Sequence, residues 1–480
     1  MKKVAADRIP EKRSRRNFLK SSAGAAGTFL IVPRRVLGGT GFVAPNDKIN
    51  VAMIGCGGQG LVDTGNLIKF PELQYIAVAD PMEEWDYREF YFGGTAGRLA
   101  AKRIIENKYA DDRQRAGYSG CRAYEDFREM LDRETGIDAV TVETTDSLHA
   151  LASLAALKRG KHVYCQKPLT HDIYEAREMA RVAREAKVAT QMGNQGHAME
   201  GNKLIAEWIQ SGAIGEVTEV QCWTDRPAGM WPQGVEVPKE TPSVPRALNW
   251  NLWVGPAADR PYHPIYLPFR WRGFWDFGTG SLGDMGCHIM DTPVSVLGLR
   301  HPVSMEAVAT TPRTRDTYPV GSMLRYEFAG QNGRPGIVMT WMDGGLMPFR
   351  PPELEAGRRL GDKDGGVLFR GTRGVLMCGC FGESPRLIPE SAMQKFVRPP
   401  KTLPRTEGIY REWVDAMKGK EPASSNFEVS GPLTEIVLLG NIGLRYPNQK
   451  LEYDSAQMKI TNLDEANQYV RRSYQGGWGA

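Results

Sequence analysis

Between Ile49 and Met192, short apolar runs rich in β-branched residues alternate with longer stretches of helical period. Ile49–Ile54, Leu73–Ala79, Ala139–Val142 and His162–Cys165 read as strands, with Val188–Met192 as a last one. Their near-continuous apolar character is that of strands covered on both faces. The intervening stretches read as helices: one holding Leu61, Leu67 and Ile68, one over Leu148–Leu157, and an amphipathic one over Asp172–Ala186, with Glu175 placed for a capping box with Asp172. Pro81–Gly120 breaks the rhythm as a long excursion. Such alternation implies an α/β fold with a doubly wound parallel sheet, whose ligands lie beyond the carboxyl ends of the strands.

At 480 residues the chain exceeds what one core usually serves, so two domains are expected. The formal charge of +5 owes much to Lys2, Lys3, Arg8, Lys12, Arg13, Arg15, Arg16, Lys20, Arg34 and Arg35, which outweigh Asp7 and Glu11. The remainder is close to neutral, and nothing points to nucleic acid. Ser14, Arg15, Arg16, Phe18, Leu19 and Lys20 match the twin-arginine signal pattern, with an apolar stretch from Ala23 to Val32 behind it. Residues 1–44 are therefore set apart as a signal and linker, implying the twin-arginine export machinery as a partner and a periplasmic location. Arg34, Arg35 and Gly38 follow in place of an Ala-x-Ala cleavage site, which leaves open an uncleaved membrane anchor. Seven scattered cysteines do not form a small disulfide framework, and Cys378-x-Cys380 has no partner pair nearby for zinc.

The first strand ends in Gly55-Cys56-Gly57-Gly58-Gln59-Gly60, and a helix follows. Gly55 permits the tight turn, Gly57 lets the backbone approach a pyrophosphate, and Gly60 allows close packing of helix on strand. The helix N-terminus then offers N–H groups to the phosphates. Asp80 ends the second strand, twenty residues past Gly60, where it would accept bonds from the adenosine ribose and favour NAD over NADP. A turn cluster with a capping aspartate is the bland alternative. Thr144 and Thr145, between Glu143 and Asp146, follow one strand; Gln166 and Lys167 follow the next, and both groups border the expected cofactor, with His149 counted among them.

Gly160-Lys161-His162-Val163-Tyr164-Cys165-Gln166-Lys167-Pro168 resembles the Gly-Lys-His-Val-x-x-Glu-Lys-Pro signature of the Gfo/Idh/MocA oxidoreductases, except that Gln166 stands for the glutamate. A second signature, Asp-x-Gly-x-His, appears as Asp284-Met285-Gly286-Cys287-His288 after the glycine-rich approach from Gly278. The resemblance extends over nearly all of residues 48–480, including the Thr434-Glu435 region and Tyr474–Trp478, and with the leader it is closest to the exported branch. It implies a Rossmann domain over 45–170 and a substrate-binding and oligomerisation domain over 171–480, whose first strand, 188–192, completes the Rossmann sheet. It also implies a mainly antiparallel second sheet, which Val217–Trp223 and Met323–Phe328 fit, and a homo-oligomer, dimer or tetramer.

By the same resemblance Lys167, Asp284 and His288 are the catalytic residues, His288 as general base oriented by Asp284 and Lys167 polarising the reacting oxygen. A surface or capping pair at i, i+4 is the plainer reading of Asp284 and His288, and with Asp291 they also suit a metal, although no matching ligand motif lies elsewhere. Asn194, His197, Trp271 and Arg272 are candidate substrate contacts; the other tryptophans near them read as core. The expectation is an exported NAD-dependent oxidoreductase that passes hydride from a sugar, glycoside or cyclitol hydroxyl to tightly bound nicotinamide, with a ping-pong exchange between two carbohydrates as the net reaction. Transient oxidation with return of the hydride, by a lyase, hydrolase or epimerase, is the alternative within enzymes, and a non-catalytic carbohydrate-binding protein is the alternative outside them.

Overall fold

The computed structural model describes residues 47–478, apart from 91, 114–118, 331, 332 and 334; the signal pattern at Ser14–Lys20 lies outside the described residues. The early strands, in chain order, are β1 (Ile49–Ile54), β2 (Leu73–Ala79), β3 (Trp85–Asp86), β4 (Thr95–Ala96), β5 (Arg122–Tyr124), β6 (Ala139–Val142), β7 (His162–Cys165) and β8 (Thr190–Met192). Six of them form a parallel sheet in the order β5-β2-β1-β6-β7-β8. Val51 to Ile54 are buried on both faces, which explains why β1 is apolar without alternation. The strand order reverses at β1, so the crevice beyond the carboxyl ends of β1 and β6 is the switch point where such sheets bind ligands.

Helix Ile173–Ala186 begins in the expected capping box between Asp172 and Glu175. The excursion after Pro81 is more ordered than its sequence rhythm implied, since it holds the β3–β4 ribbon and the helix Arg98–Arg113. That helix buries Ala101, Ile105 and Tyr109 at four-residue spacing, a narrow stripe in an otherwise polar segment.

The second sheet comprises β9 (Val217–Thr224), β10 (Ser304–Thr310), β11 (Ser322–Phe328), β12 (Ile337–Met342), β13 (Gly365–Gly371), β14 (Gly374–Cys378), β15 (Arg386–Ile388), β16 (Lys450–Asp454) and β17 (Lys459–Ile460). Their order is β15-β14-β13-β9-β12-β11-β10-β16-β17, antiparallel except where β9 meets β12. The long helix Phe427–Gly443 packs closely on this sheet and on helix Gly280–Ile289. A Cβ at Gly440 would stand 2.0 Å from the Tyr326 hydroxyl and 2.4 Å from Leu282, so only glycine permits that approach. The chain also returns to the first sheet: in helix Ile409–Met417, Tyr410 stacks on Tyr164 at 5.9 Å and Trp413 is fully buried. All seven cysteines are buried free thiols.

One carboxylate ties helix Ile173–Ala186 to the long helix and to β16. Glu435, 1% exposed, accepts two bonds from Arg177 at 2.7 Å and one from the Tyr453 hydroxyl at 2.8 Å, with His301 Nδ1 at 3.0 Å. Burial pushes its pKa up, but the Arg177 and His301 contacts outweigh this and hold it at about 2. Glu435→Ala is expected to cost about 3 kcal/mol near neutral pH, as for other broken buried pairs, measured by urea denaturation. Because the folded value lies below the unfolded one, the contribution is present above the unfolded pKa of roughly 4.3 and disappears as pH falls toward the folded value. The stability gap between wild type and Glu435→Gln should close over that interval.

Candidate active site

At the switch point the glycine loop leaves β1. Gly55 takes φ +90°, and a Cβ there would meet the Glu143 carbonyl carbon at 2.5 Å and the Thr144 nitrogen at 2.7 Å. Gly57 starts helix Gly58–Leu67 without any side-chain cap, and the Leu61 N–H bonds Gly57 O one turn in. The nearest atom to a Cβ at Gly57 would be the Tyr87 hydroxyl at 3.4 Å, so the uncapped turn is open to an anion. These residues fit a dinucleotide pyrophosphate.

Asp80 accepts the Cys56 N–H at 2.6 Å and the Met82 N–H at 2.7 Å, thereby fixing the loop from the end of β2. Burial raises its pKa to about 6, against those N–H groups and Arg98. Each carboxylate oxygen keeps a second acceptor site, and Asp80 borders a slot of about 80 Å³. The slot's walls include Gly55–Gly57, Thr144 and Thr145 on one side and Leu267, Phe269 and Trp271 on the other. His149 sits between the Pro168 carbonyl at 2.7 Å and the Thr144 carbonyl at 3.2 Å. Burial lowers its pKa to about 4, so the neutral ring has one N–H, and the shorter contact to Pro168 is the hydrogen bond.

Next to the slot lies a cleft of about 440 Å³ that Lys167, Asp284 and His288 border together with Gly57, Gly58, Gln59 and Gln166. Lys167, just past β7, donates to the Asp284 carboxylate and to the Asp284 carbonyl, both at 2.9 Å. Arg272 donates to the same carboxylate oxygen at 3.2 Å, and its guanidinium lies 4.0 Å from the Phe269 ring centre and 4.4 Å from that of Trp271. Burial alone would raise the Asp284 pKa; the two cations reverse this and hold it below the usual carboxylate range.

Helix Gly280–Ile289 places Asp284 and His288 on one face, as their spacing predicts. No hydrogen bond joins Asp284 to His288; the Asp284 Oδ1 instead takes both Lys167 and Arg272. His288 Nδ1 is buried without a partner, and the ring packs against Phe381 at 4.8 Å. Burial, with the charge of Lys167, lowers its pKa to about 3, so the imidazole is neutral at physiological pH.

Trp271 and Arg272 border the cleft as expected; Asn194 and His197 do not. Asn194 is fully buried with both amide atoms unpartnered. His197 is buried in a pair with Asp291 at 2.8 Å, which also removes Asp291 from any ligand set with Asp284 and His288. Among the described residues no cluster of three or more histidines, cysteines, aspartates or glutamates suits a metal. Gln195, Arg226, Met230, Trp231 and Phe381 complete the cleft without having been marked by sequence. Asp146, which its sequence group with Glu143, Thr144 and Thr145 placed beside the cofactor, lines the cleft as well, accepting the Thr279 hydroxyl at 2.5 Å, with a pKa raised by burial to about 7.

Residues 49–194 match the model of the oxidoreductase family with an NAD-binding Rossmann fold, Gfo/Idh/MocA, and residues 209–340 match its C-terminal α/β domain. The 1,5-anhydro-D-fructose reductase of Ensifer adhaerens is 27% identical over 189 residues, 37% of this chain and 45% of that protein. The inositol 2-dehydrogenase of Rubrobacter xylanophilus is 27% identical over 180 residues, 37% of this chain and 44% of that one. The chain thus spans less than half the length of these curated relatives. The WlbA dehydrogenase of Bordetella pertussis, solved with NADH and UDP-GlcNAcA, shares the fold at a TM-score of 0.55 and 15% identity, over 85% of this chain and 99% of that one.

Asp80 yields a test of cofactor choice. Above its folded pKa of about 6 it is anionic and opposes a 2′-phosphate; below that value the opposition is lost. The ratio of NADP to NAD dissociation constants should be large for wild type at mildly alkaline pH and shrink toward that of Asp80→Asn on acidification. Identical ratios for the two proteins at alkaline pH would remove Asp80 from cofactor selection.

Proposed function

The chain belongs to the Gfo/Idh/MocA oxidoreductase family, and we propose that it is an NAD-dependent enzyme that oxidises a hydroxyl of a sugar, glycoside or cyclitol. The observation that carries this reading is the Lys167 ammonium. It has three N–H donors, two are spent on Asp284, and one remains for a substrate oxygen in the cleft. Lys167 would polarise the hydroxyl oxygen, and neutral His288 would accept its proton as the carbinol C–H bond breaks. NAD, when bound, supplies the hydride acceptor. Asp284 has the role of holding Lys167 and Arg272, rather than that of orienting His288. Aromatic faces at Trp231 and Trp271 suit a sugar ring. The names of the anhydrofructose reductase and the inositol dehydrogenase support this substrate class.

The twin-arginine pattern at Ser14–Lys20 supports export of the folded protein, periplasmic action and a role for the leader as an anchor if it stays uncleaved. A folded passenger would take up its dinucleotide before translocation, and hold it tightly where free dinucleotide is scarce. Assembly as a homo-oligomer through the second sheet belongs to the same reading.

Lys167→Met and His288→Ala should each slow single-turnover hydride transfer roughly 100-fold or more while NAD stays bound, with glucose, myo-inositol and 1,5-anhydro sugars as the substrate panel. Unchanged transfer in either variant removes that residue from the mechanism. Retention of nicotinamide is checked separately: the protein is dialysed, given a sugar deuterated at the oxidised carbon, and its bound and free nicotinamide are followed. With a second carbohydrate supplied as acceptor, or with return of the hydride to the oxidised sugar itself, the bound nicotinamide is reduced and reoxidised in place, and label confined to carbohydrate products is expected. Release of labelled NADH at every turnover would instead identify an ordinary dehydrogenase with exchangeable cofactor.

A further inference from the structure

Position 166 departs from the family signature, and its surroundings account for the change. The Gln166 amide donates to the Asp63 carboxylate at 2.6 Å, while its carbonyl accepts the Lys167 N–H at 3.1 Å. Asp63 lies on the helix that opens the glycine loop, and its other oxygen accepts Gln59 Nε2 at 2.8 Å and the Tyr410 hydroxyl at 2.6 Å. Burial raises the Asp63 pKa, and these three donors oppose that shift by stabilising the carboxylate. The donors come from the glycine loop, from the end of β7 and from helix Ile409–Met417. Gly193 makes room for this amide, since a Cβ there would stand 2.5 Å from its nitrogen.

Glu143 is the other carboxyl in this cluster. It is buried against Asp63, and burial with the charge of Asp63 raises its pKa well above the ordinary value. The Gln59, Gln166 and Tyr410 donors all point at Asp63 and none at Glu143, so the negative charge of the cluster is best held on Asp63. A glutamate at 166 would bring a second anion within contact of it.

We infer that Asp63 is a positioning residue which, through the Gln166 amide, holds Lys167 and the dinucleotide loop in register, and that this is why position 166 requires an amide in this chain. The inference rests on the proposed NAD-dependent function and adds a residue that never touches substrate.

Reversing the pair tests it. In Asp63→Asn with Gln166→Glu, the asparagine amide can donate to the new carboxylate and its carbonyl can still accept from Gln59 and Tyr410. Either change alone opposes two donors or two acceptors. Full-length wild type, both single variants and the double variant are titrated with NADH by tryptophan fluorescence quenching, with thermal melting in parallel. Each single change should weaken NADH binding about tenfold or more and the double variant should return within about threefold of wild type, a coupling that independent sites would not show. Additive losses overturn the inference. So do single variants that melt earlier yet bind NADH normally, because Asp63 would then be structural only. If the single variants do not fold, Asp63→Leu with Gln166→Met keeps an uncharged contact, and full NADH affinity in it overturns the inference while its loss supports it. A wild-type chain that takes up no NADH overturns the proposed function, and this inference with it; the variant outcomes on a binding wild type bear on Asp63 alone.

Discussion

The Asp284 carboxylate is shared by two cations that reach it from different parts of the chain. Lys167 arrives from the end of a Rossmann strand, and Arg272 from the turn Arg270–Gly273. Neither cation has much water around it, with both side chains about 15% exposed. Taking Asp284 away would leave two partly desolvated positive charges facing one another, a state that typically costs about 3–5 kcal/mol even for one unpaired partner. The carboxylate therefore does more than complete a motif: it makes the cleft electrostatically possible and sets where the free donor of Lys167 stands. It also holds Arg272 where its guanidinium stacks on Phe269 and Trp271 at the edge of the cleft.

The Rossmann half was legible because strands buried on both faces carry an almost uninterrupted apolar signal, and the capping box at Asp172 marks its helix without ambiguity. The helix Arg98–Arg113 was not, since its buried stripe is narrow and charged residues are spread along the remainder. In the second half, β9 and β11 alternate well enough to be recognised, whereas β13 begins with two glycines packed against Trp223 and shows no such pattern. The return of helix Ile409–Met417 to the first sheet has no local signature at all. It is decided by where Tyr164 and Tyr410 meet in space.

The site divides in the same way. Lys167, Asp284 and His288 stand in short motifs whose spacing survives translation into geometry, so all three reach one cleft. The relation among them was not legible, because i, i+4 spacing makes Asp284 and His288 neighbours but cannot say which of three bases and cations takes the carboxylate. Asn194 and His197 follow a strand end that usually faces ligand, yet His197 turns to Asp291 and stays buried. Phe381 and Arg226 lie on connections between strands of the second sheet, far from any motif in sequence. Asp63 was hidden for a different reason: one turn into a glycine-loop helix, an aspartate reads as a side chain facing water until its three donors are seen.

Seven cysteines without one disulfide have a chemical consequence of their own. The reactive form of cysteine is the thiolate, and oxidants or disulfides attack where that form is populated and reachable. Here burial pushes the thiols of Cys56, Cys165, Cys222, Cys378 and Cys380 well above their ordinary value, and those of Cys121 and Cys287 to about 12. Cys56 sits in the glycine loop itself, where its side chain packs as a small apolar group beneath the open backbone. Buried and held protonated, these thiols are withdrawn from the nucleophilic chemistry that oxidants and disulfides require.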